Sequence, residues 1–302
     1  MQLHKTLIDV TFYVSNVCIP DMKLIGEGTF GKVYKNGSHA IKVCPVDHAC
    51  YQREVEICNI IKSKAHNNII KIINSYTDID NNYIIMEYVT YTLQTFLHRL
   101  TNADLRMKKV VAVSILHGLA SALQFLRTLD IVHRDVKPSN ILIKDNQCKL
   151  CDFGSAKVLC NDVNTTYIVT RFYRAPELIL DRYYSFDVDV WSYGCVAAEI
   201  ALGLPVFQGE SNVSQLCEII KVIGIKHDSL TCLKGKDNMD GNFPEHNGKP
   251  WKNVLRVVHK GRSCNVSYGM EFENLLSNVL MWDPGMRLKP SDILKHAFMT
   301  NT

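Results

Sequence analysis

His133-Arg134-Asp135-Val136-Lys137-Pro138-Ser139-Asn140 is the stretch on which the reading of the fold turns. Moving a phosphoryl group onto a hydroxyl needs a carboxylate to orient the nucleophile and accept its proton. It also needs oxygen ligands for a divalent cation and a positive charge near the moving phosphate. Asp135 fits the first task, Asn140 the metal ligand and Lys137 the cation. Pro138 keeps a helix from running through the loop. Twelve residues past Asn140 stands Asp152-Phe153-Gly154, whose aspartate fits a second ligand to Mg2+ bridging phosphates. A polar loop and an acidic turn without chemistry would not require this order and spacing together.

Upstream, Gly26-Glu27-Gly28-Thr29-Phe30-Gly31-Lys32-Val33 fits G-x-G-x-x-G-x-V. Alone this pattern is weak, because glycine-rich turns are common and a dinucleotide-binding fingerprint looks similar. Such a fingerprint leads into a helix, whereas Val33 and Tyr34 continue as strand, which suits a hairpin over phosphates or a purely structural one. His39-Ala40-Ile41-Lys42 follows, then Glu54 on the first helical stretch. A strand lysine is usually an edge residue. A helix glutamate after it allows another use, an ion pair holding the ammonium for ATP phosphates.

Short β-branched or apolar runs near 22–35, 40–43, 69–76 and 83–87 read as strands, with a helix from Ala49 to about Lys62 between them. After Glu87, helical stretches near 105–128, 186–202, 212–223, 271–281 and 290–297 dominate. A small strand-rich part therefore precedes a larger helical part, joined near Glu87-Tyr88-Val89. The 226–250 loop is long, polar and rich in Gly and Asn, a functional or a mobile surface.

Of 302 residues, 47% are hydrophobic and 21% charged, with a formal net charge of +4. That balance is too mild, and the basic residues too dispersed, to imply nucleic-acid binding. Val110–Leu126 is the most apolar stretch. Its Val113, Leu116, Ala120, Leu123 and Leu126 recur at steps of three and four, one face of a soluble helix rather than a membrane span. The N-terminus has no long apolar core of a signal peptide, so the eleven cysteines read as reduced thiols of a cytoplasmic or nuclear protein. Cys148 and Cys151 have the spacing of a zinc half-site, but no second half-site accompanies them.

The set G-x-G-x-x-G-x-V, A-I-K, H-R-D-V-K-P-S-N, D-F-G and Ala175-Pro176-Glu177 resembles the eukaryotic protein kinases over nearly the whole chain. The resemblance implies an α+β, bilobal protein-kinase fold with a small β-rich N-lobe and a larger, mainly α-helical C-lobe. The expected divisions are an extension at 1–21, a kinase domain at 22–298 (lobes 22–87 and 90–298) and a tail at 299–302. It further implies ATP and Mg2+ as cofactors. Asp135, Lys137 and Asn140 would be catalytic, Asn140 and Asp152 would hold metal, and Ile25 to Val33, Lys42, Glu54, Glu87 and Val89 would hold ATP. Met86 matches the gatekeeper, Asp189-Val190-Trp191-Ser192 resembles the buried helix anchoring the catalytic loop, and Arg287 would pair with Glu177.

Lys137-Pro138 resembles serine/threonine kinases, and Arg171-Phe172-Tyr173-Arg174-Ala175-Pro176-Glu177 resembles the CMGC group. Residues 151–157, Thr166-Tyr167-Ile168 and 215–224 are most similar to glycogen synthase kinase-3. That likeness implies a pocket of Arg53, Arg134 and Lys157 for a phosphate already on the substrate, although each cation could instead pair with a carboxylate. It also implies phosphotyrosine at Tyr167, paired to Arg171 and Arg174. In mitogen-activated kinases a similar cluster grips a phosphothreonine, and Thr165 with Tyr167 fits their T-x-Y pattern. A mitogen-activated or cyclin-dependent type, a pseudokinase scaffold and a metabolite kinase are the alternatives. Lys42, Asp135 and Asp152 speak against the pseudokinase, and Ala175-Pro176-Glu177 against the metabolite kinase. Protein substrates are the expected partners, with no nucleic acid, no membrane and a monomeric chain. The 226–250 loop matches the place on the C-lobe where the family docks scaffold proteins, but its sequence matches poorly, so a scaffold or regulatory partner is left open. Departures include His39 in place of the usual valine and Ile225-Lys226 in place of Thr-Pro.

Overall fold

The computed structural model describes residues 22–28, 31–46, 49–99, 105–159, 171–226, 245–255 and 268–300. The described residues form two compact units. One holds those up to Tyr51 together with Ile72–Tyr88, the other Gln52–Lys71 together with those from Val89 onward.

The first unit is an antiparallel sheet of β1 (Lys23–Gly28), β2 (Gly31–Asn36), β3 (His39–Pro45), β4 (Ile72–Thr77) and β5 (Asn81–Glu87), in the order β1-β2-β3-β5-β4. Alternation explains its core. Ile41, Tyr83 and Ile85 are buried on one face, with Met22, Val43, Ile73 and Tyr76 packed around them. Tyr76 stacks on Tyr83 at 4.5 Å between ring centroids. Gly31 has φ +135°, and a Cβ there would lie 2.2 Å from the Val43 carbonyl oxygen, so no other residue fits the start of β2.

The helix α1 (Ala49–Lys64) leads into the second unit. The expected small lobe runs through 22–87; within it, Gln52–Lys71 groups with the second unit, and bonds at its C-terminal end tie it there. Asn68 donates through Nδ2 to the Cys148 carbonyl at 3.0 Å, Leu150 N–H donates to Asn68 O at 2.8 Å, and Ile70 N–H to Leu150 O at 3.0 Å. His66 stacks on Phe125 at 4.7 Å. Gly118 makes the close approach possible, since a Cβ there would meet Asn68 Nδ2 at 2.6 Å and Cys148 Sγ at 2.9 Å. The residues expected as strand at 69–71 are drawn into this contact and make a lone parallel bridge, Ile69 to Leu150.

Beyond Val89 come β6 (Tyr91–Thr92), α2 (Leu93–Arg99), α3 (Leu105–Thr128) and β7 (Ile131–Val132), then β8 (Ile141–Lys144), β9 (Gln147–Leu150) and β10 (Lys157–Val158). α3 contains a run, Lys109–Thr128, long and apolar enough by composition to cross a membrane, and 61% of it is buried inside the protein. Its apolar stripe lies in the core, with Leu116, Leu119, Leu123 and Leu126 all buried. α4 (Pro176–Ile179) precedes α5 (Asp187–Leu202), which is buried along nearly its whole length. α6 (Asn212–Ile223) opens on a capping box in which Ser211 and Ser214 bond reciprocally to each other's backbone N–H. Then follow β11 (Gly224–Ile225), β12 (His246–Asn247), α7 (Trp251–Val254) and α8 (Met270–Val279). The helix expected at 290–297 is instead two short ones, α9 (Pro290–Ile293) and α10 (Ala297–Thr300), separated by turn bonds such as His296 N–H to Ile293 O.

Candidate active site

The loop from β7 to β8 is held from below by α5. Asp189, in that helix's first turn, accepts from His133 N–H at 2.7 Å and from Arg134 N–H at 2.8 Å, one on each carboxylate oxygen. Burial pushes the Asp189 carboxyl up, while the charges of His133 and Arg134 and the two amide bonds pull the other way. Arg134 itself has φ +67°, a left-handed conformation that an L side chain adopts at a cost. His133 Nε2 lies 3.0 Å from the Cys151 carbonyl, and its ring meets Phe153 edge-on at 5.3 Å. Thus one imidazole spans from the loop to the Asp152-Phe153-Gly154 turn.

This frame gathers the second unit's candidate residues. Asp135 is 7% exposed. Its Oδ2 receives Lys137 Nζ at 2.8 Å and Asn140 Nδ2 at 2.9 Å. The β8–β9 ladder pairs Ile141 with Leu150, and Cys151 N–H donates to Asn140 O at 2.9 Å. Asp152 therefore follows one residue beyond Asn140's neighbour. It too is left-handed, with φ +66°. The Asn140 amide aims its nitrogen at Asp135, which turns its carbonyl oxygen to the other side. An amide oxygen and a carboxylate are hard ligands of the kind Mg2+ takes, so this pair of residues fits the ion.

In the first unit, Lys42 is 6% exposed and stands opposite Val33 and Ile84 in the sheet. Gly26, Glu27, Gly28, Gly31, Lys32 and Val33 form the β1–β2 hairpin, with Glu27 and Lys32 3.5 Å apart at its exposed surface. Ile25 lies at an irregularity in that ladder. Glu87 ends β5 opposite His39, and Val89 begins the longer segment of the second unit. Glu54 is buried on α1. Thr29, Phe30, Thr165 and Tyr167 lie outside the described residues.

For the three cations, β10 pairs Lys157 with Val132, two residues before Arg134. Arg134 Nε in turn donates to Ser155 O at 2.6 Å, two residues before Lys157. Those two positions are therefore neighbours by register. Arg53 stands on α1, and among the described residues its buried Nε and Nη2 have no hydrogen-bond partner. Arg287 pairs with Glu177 as the sequence implied, at 2.6 and 2.8 Å in a two-pronged contact.

Two residues of this region were not legible beforehand. Tyr184 accepts from Arg134 Nη1 at 2.8 Å. Glu199, on α5, accepts from the Tyr173 hydroxyl at 2.7 Å. Burial raises the Glu199 carboxyl from 4.5 to about 7, with the Tyr173 bond opposing. The folded chain thus holds a proton there that the unfolded chain loses between those two values. Stability from this group is greatest at low pH and declines as pH rises from about 4.5 to 7, by at most roughly 3 kcal/mol. Glu199→Gln should flatten that decline, which urea midpoints at pH 5 and pH 8 will show as a smaller difference than in the parent protein.

A loop held by a buried helix aspartate and an Asn–Asp pair that fits Mg2+ in the second unit, and in the first a glycine hairpin ahead of a buried strand lysine, are each what a phosphotransferase requires. The protein kinase domain family matches residues 20–299, and the chain belongs to that family, with its bilobal fold and its use of ATP. The chain is similar to "Protein kinase gsk3" of Schizosaccharomyces pombe, with 32% identity over 301 residues, covering 94% of this chain and 75% of that relative. It is a CMGC-group, glycogen synthase kinase-3-like serine/threonine kinase whose partners are protein substrates.

Proposed function

We propose that this kinase prefers substrates that already carry a phosphate, bound by Arg53, Arg134 and Lys157. The observation that carries the reading is the Arg53 guanidinium, two of whose nitrogens are buried with no hydrogen-bond partner among the described residues. A buried charged donor without an acceptor is costly, and a phosphate supplies charge-assisted bonds that remove the cost. Arg134 donates to two neutral groups, Ser155 O and the Tyr184 hydroxyl, which hold its guanidinium in the same unit as Arg53.

Transfer itself falls to the loop. Asp135 orients the substrate hydroxyl and takes its proton, using Oδ1 because Oδ2 is engaged by Lys137 and Asn140. Lys137 places positive charge beside the carboxylate and the transferred group. Asn140 and Asp152 would hold Mg2+, which when bound neutralises the phosphates of ATP. Lys42 supplies the cation on the nucleotide side. For activation, phosphate on Tyr167 would meet Arg171 and Arg174. Support comes from Arg171 Nε, buried with no hydrogen-bond partner among the described residues, and from Arg174, whose basicity is lowered by burial and by the Arg171 charge.

The test is a peptide carrying phosphoserine four residues C-terminal to the target serine, assayed beside its unphosphorylated twin. The phosphorylated form should show a much higher kcat/KM. Equal values would remove the phosphate-pocket reading. Activity that depended instead on phosphate at Thr165 would point to the mitogen-activated type.

A further inference from the structure

Arg134 is 5% exposed and held at every level. Its backbone N–H is fixed by Asp189 and its φ is left-handed, so the main chain has little room to tilt. Among the bonds of its side chain are two from different nitrogens, Nε to Ser155 O at 2.6 Å and Nη1 to the Tyr184 hydroxyl at 2.8 Å. One bond alone would let a planar guanidinium swing about that contact. Two bonds from separate nitrogens fix the plane. The two anchors differ in origin. Ser155 lies just before β10, which is paired to β7 beside Arg134, so it moves with the loop. Tyr184 comes from the connection between α4 and α5, fifty residues away in sequence, and is itself buried at 7% exposure, with the guanidinium carbon 6.0 Å from its ring centroid.

We infer that Tyr184 is a positioning residue for substrate selection: its hydroxyl fixes the plane of the Arg134 guanidinium, and so the direction in which that cation meets a phosphate on the substrate. This rests on the phosphate-pocket reading above. A fixed fork binds a tetrahedral anion without first losing rotational freedom, whereas a swinging one must be ordered on binding.

Tyr184→Phe keeps the buried ring and removes only the hydroxyl. The measurement is the ratio of kcat/KM for the phosphorylated peptide to that for its unphosphorylated twin, in the full chain and the variant. The ratio should fall roughly three- to tenfold in the variant, the worth of one hydrogen bond. Inhibition of phosphorylated-peptide turnover by inorganic phosphate should weaken by a similar factor. If the parent enzyme prefers the phosphorylated peptide and the variant keeps the same ratio, the role of Tyr184 is overturned, however much overall activity has dropped. If the parent enzyme shows no preference, the pocket itself is wrong and this inference falls with it.

Discussion

Replacing Asp135 with asparagine lowers kcat by a factor on the order of 10² to 10⁴, with ATP binding retained. Asparagine has nearly the shape of aspartate, so packing around a side chain that is 7% exposed is kept. What is lost is the carboxylate proposed to accept the hydroxyl proton. The partners of Asp135 sharpen the expectation. Lys137 Nζ and Asn140 Nδ2 both donate to Oδ2, and the variant can answer them with its amide oxygen. Its amide nitrogen then occupies the place of Oδ1, presenting a donor where the mechanism needs an acceptor. The check is steady-state turnover at saturating peptide and ATP, with nucleotide affinity measured separately by calorimetry. Turnover near the parent rate would remove Asp135 from the role of base.

Removing either member of the Glu177–Arg287 pair should cost about 3–5 kcal/mol of stability. The pair is buried on both sides, with side chains 4% and 0% exposed. Arg287 also donates to Asp187 O at 2.9 Å and to Met281 O at 2.9 Å, and lies over the Trp191 ring at 5.1 Å. In Glu177→Ala those carbonyls remain as neutral partners, but the guanidinium charge has lost its counter-ion in a site that water does not reach. The loss should appear as a lower urea midpoint, followed by the fluorescence of Trp191 and Trp282, which flank the arginine. A double replacement, Glu177→Leu with Arg287→Met, should recover most of the loss, because two apolar side chains need no counter-charge. A single variant as stable as the parent would show that the pair is not what holds this corner.

Residues close in sequence were the legible ones. Asp135, Asn140 and Asp152 sit on one loop and the strand pair after it, so their spacing already constrains their geometry. The bonds that fix that geometry come from farther away. Asp189 could be anticipated because its helix has a recognisable sequence. Tyr184 and Glu199 could not, since a tyrosine after a turn and a glutamate in an apolar helix carry no periodic signal of their partners. The bonding of Asn68 and Ile70 to Cys148 and Leu150 of β9 was hidden for a similar reason. Strand and helix periodicity show which face of a segment is apolar, but not which body covers it. There the deciding features were one glycine, Gly118, and one amide, Asn68.

Left-handed backbone at Arg134 and Asp152 sets two kinds of selection against each other. Glycine would relieve about 1 kcal/mol of backbone strain at each position, but at 134 it would also remove a buried side chain bonded to Ser155 O and the Tyr184 hydroxyl. A screen that rewards only thermal endurance would therefore favour glycine at 152 over 134, discarding the carboxylate proposed to hold metal. The same screen could accept the double replacement of Glu177 and Arg287 by apolar residues, though not either single one, without touching a reacting group. Variants that endure heat for these two reasons would be indistinguishable by melting, and only a turnover assay would separate the hardened enzyme from the empty fold.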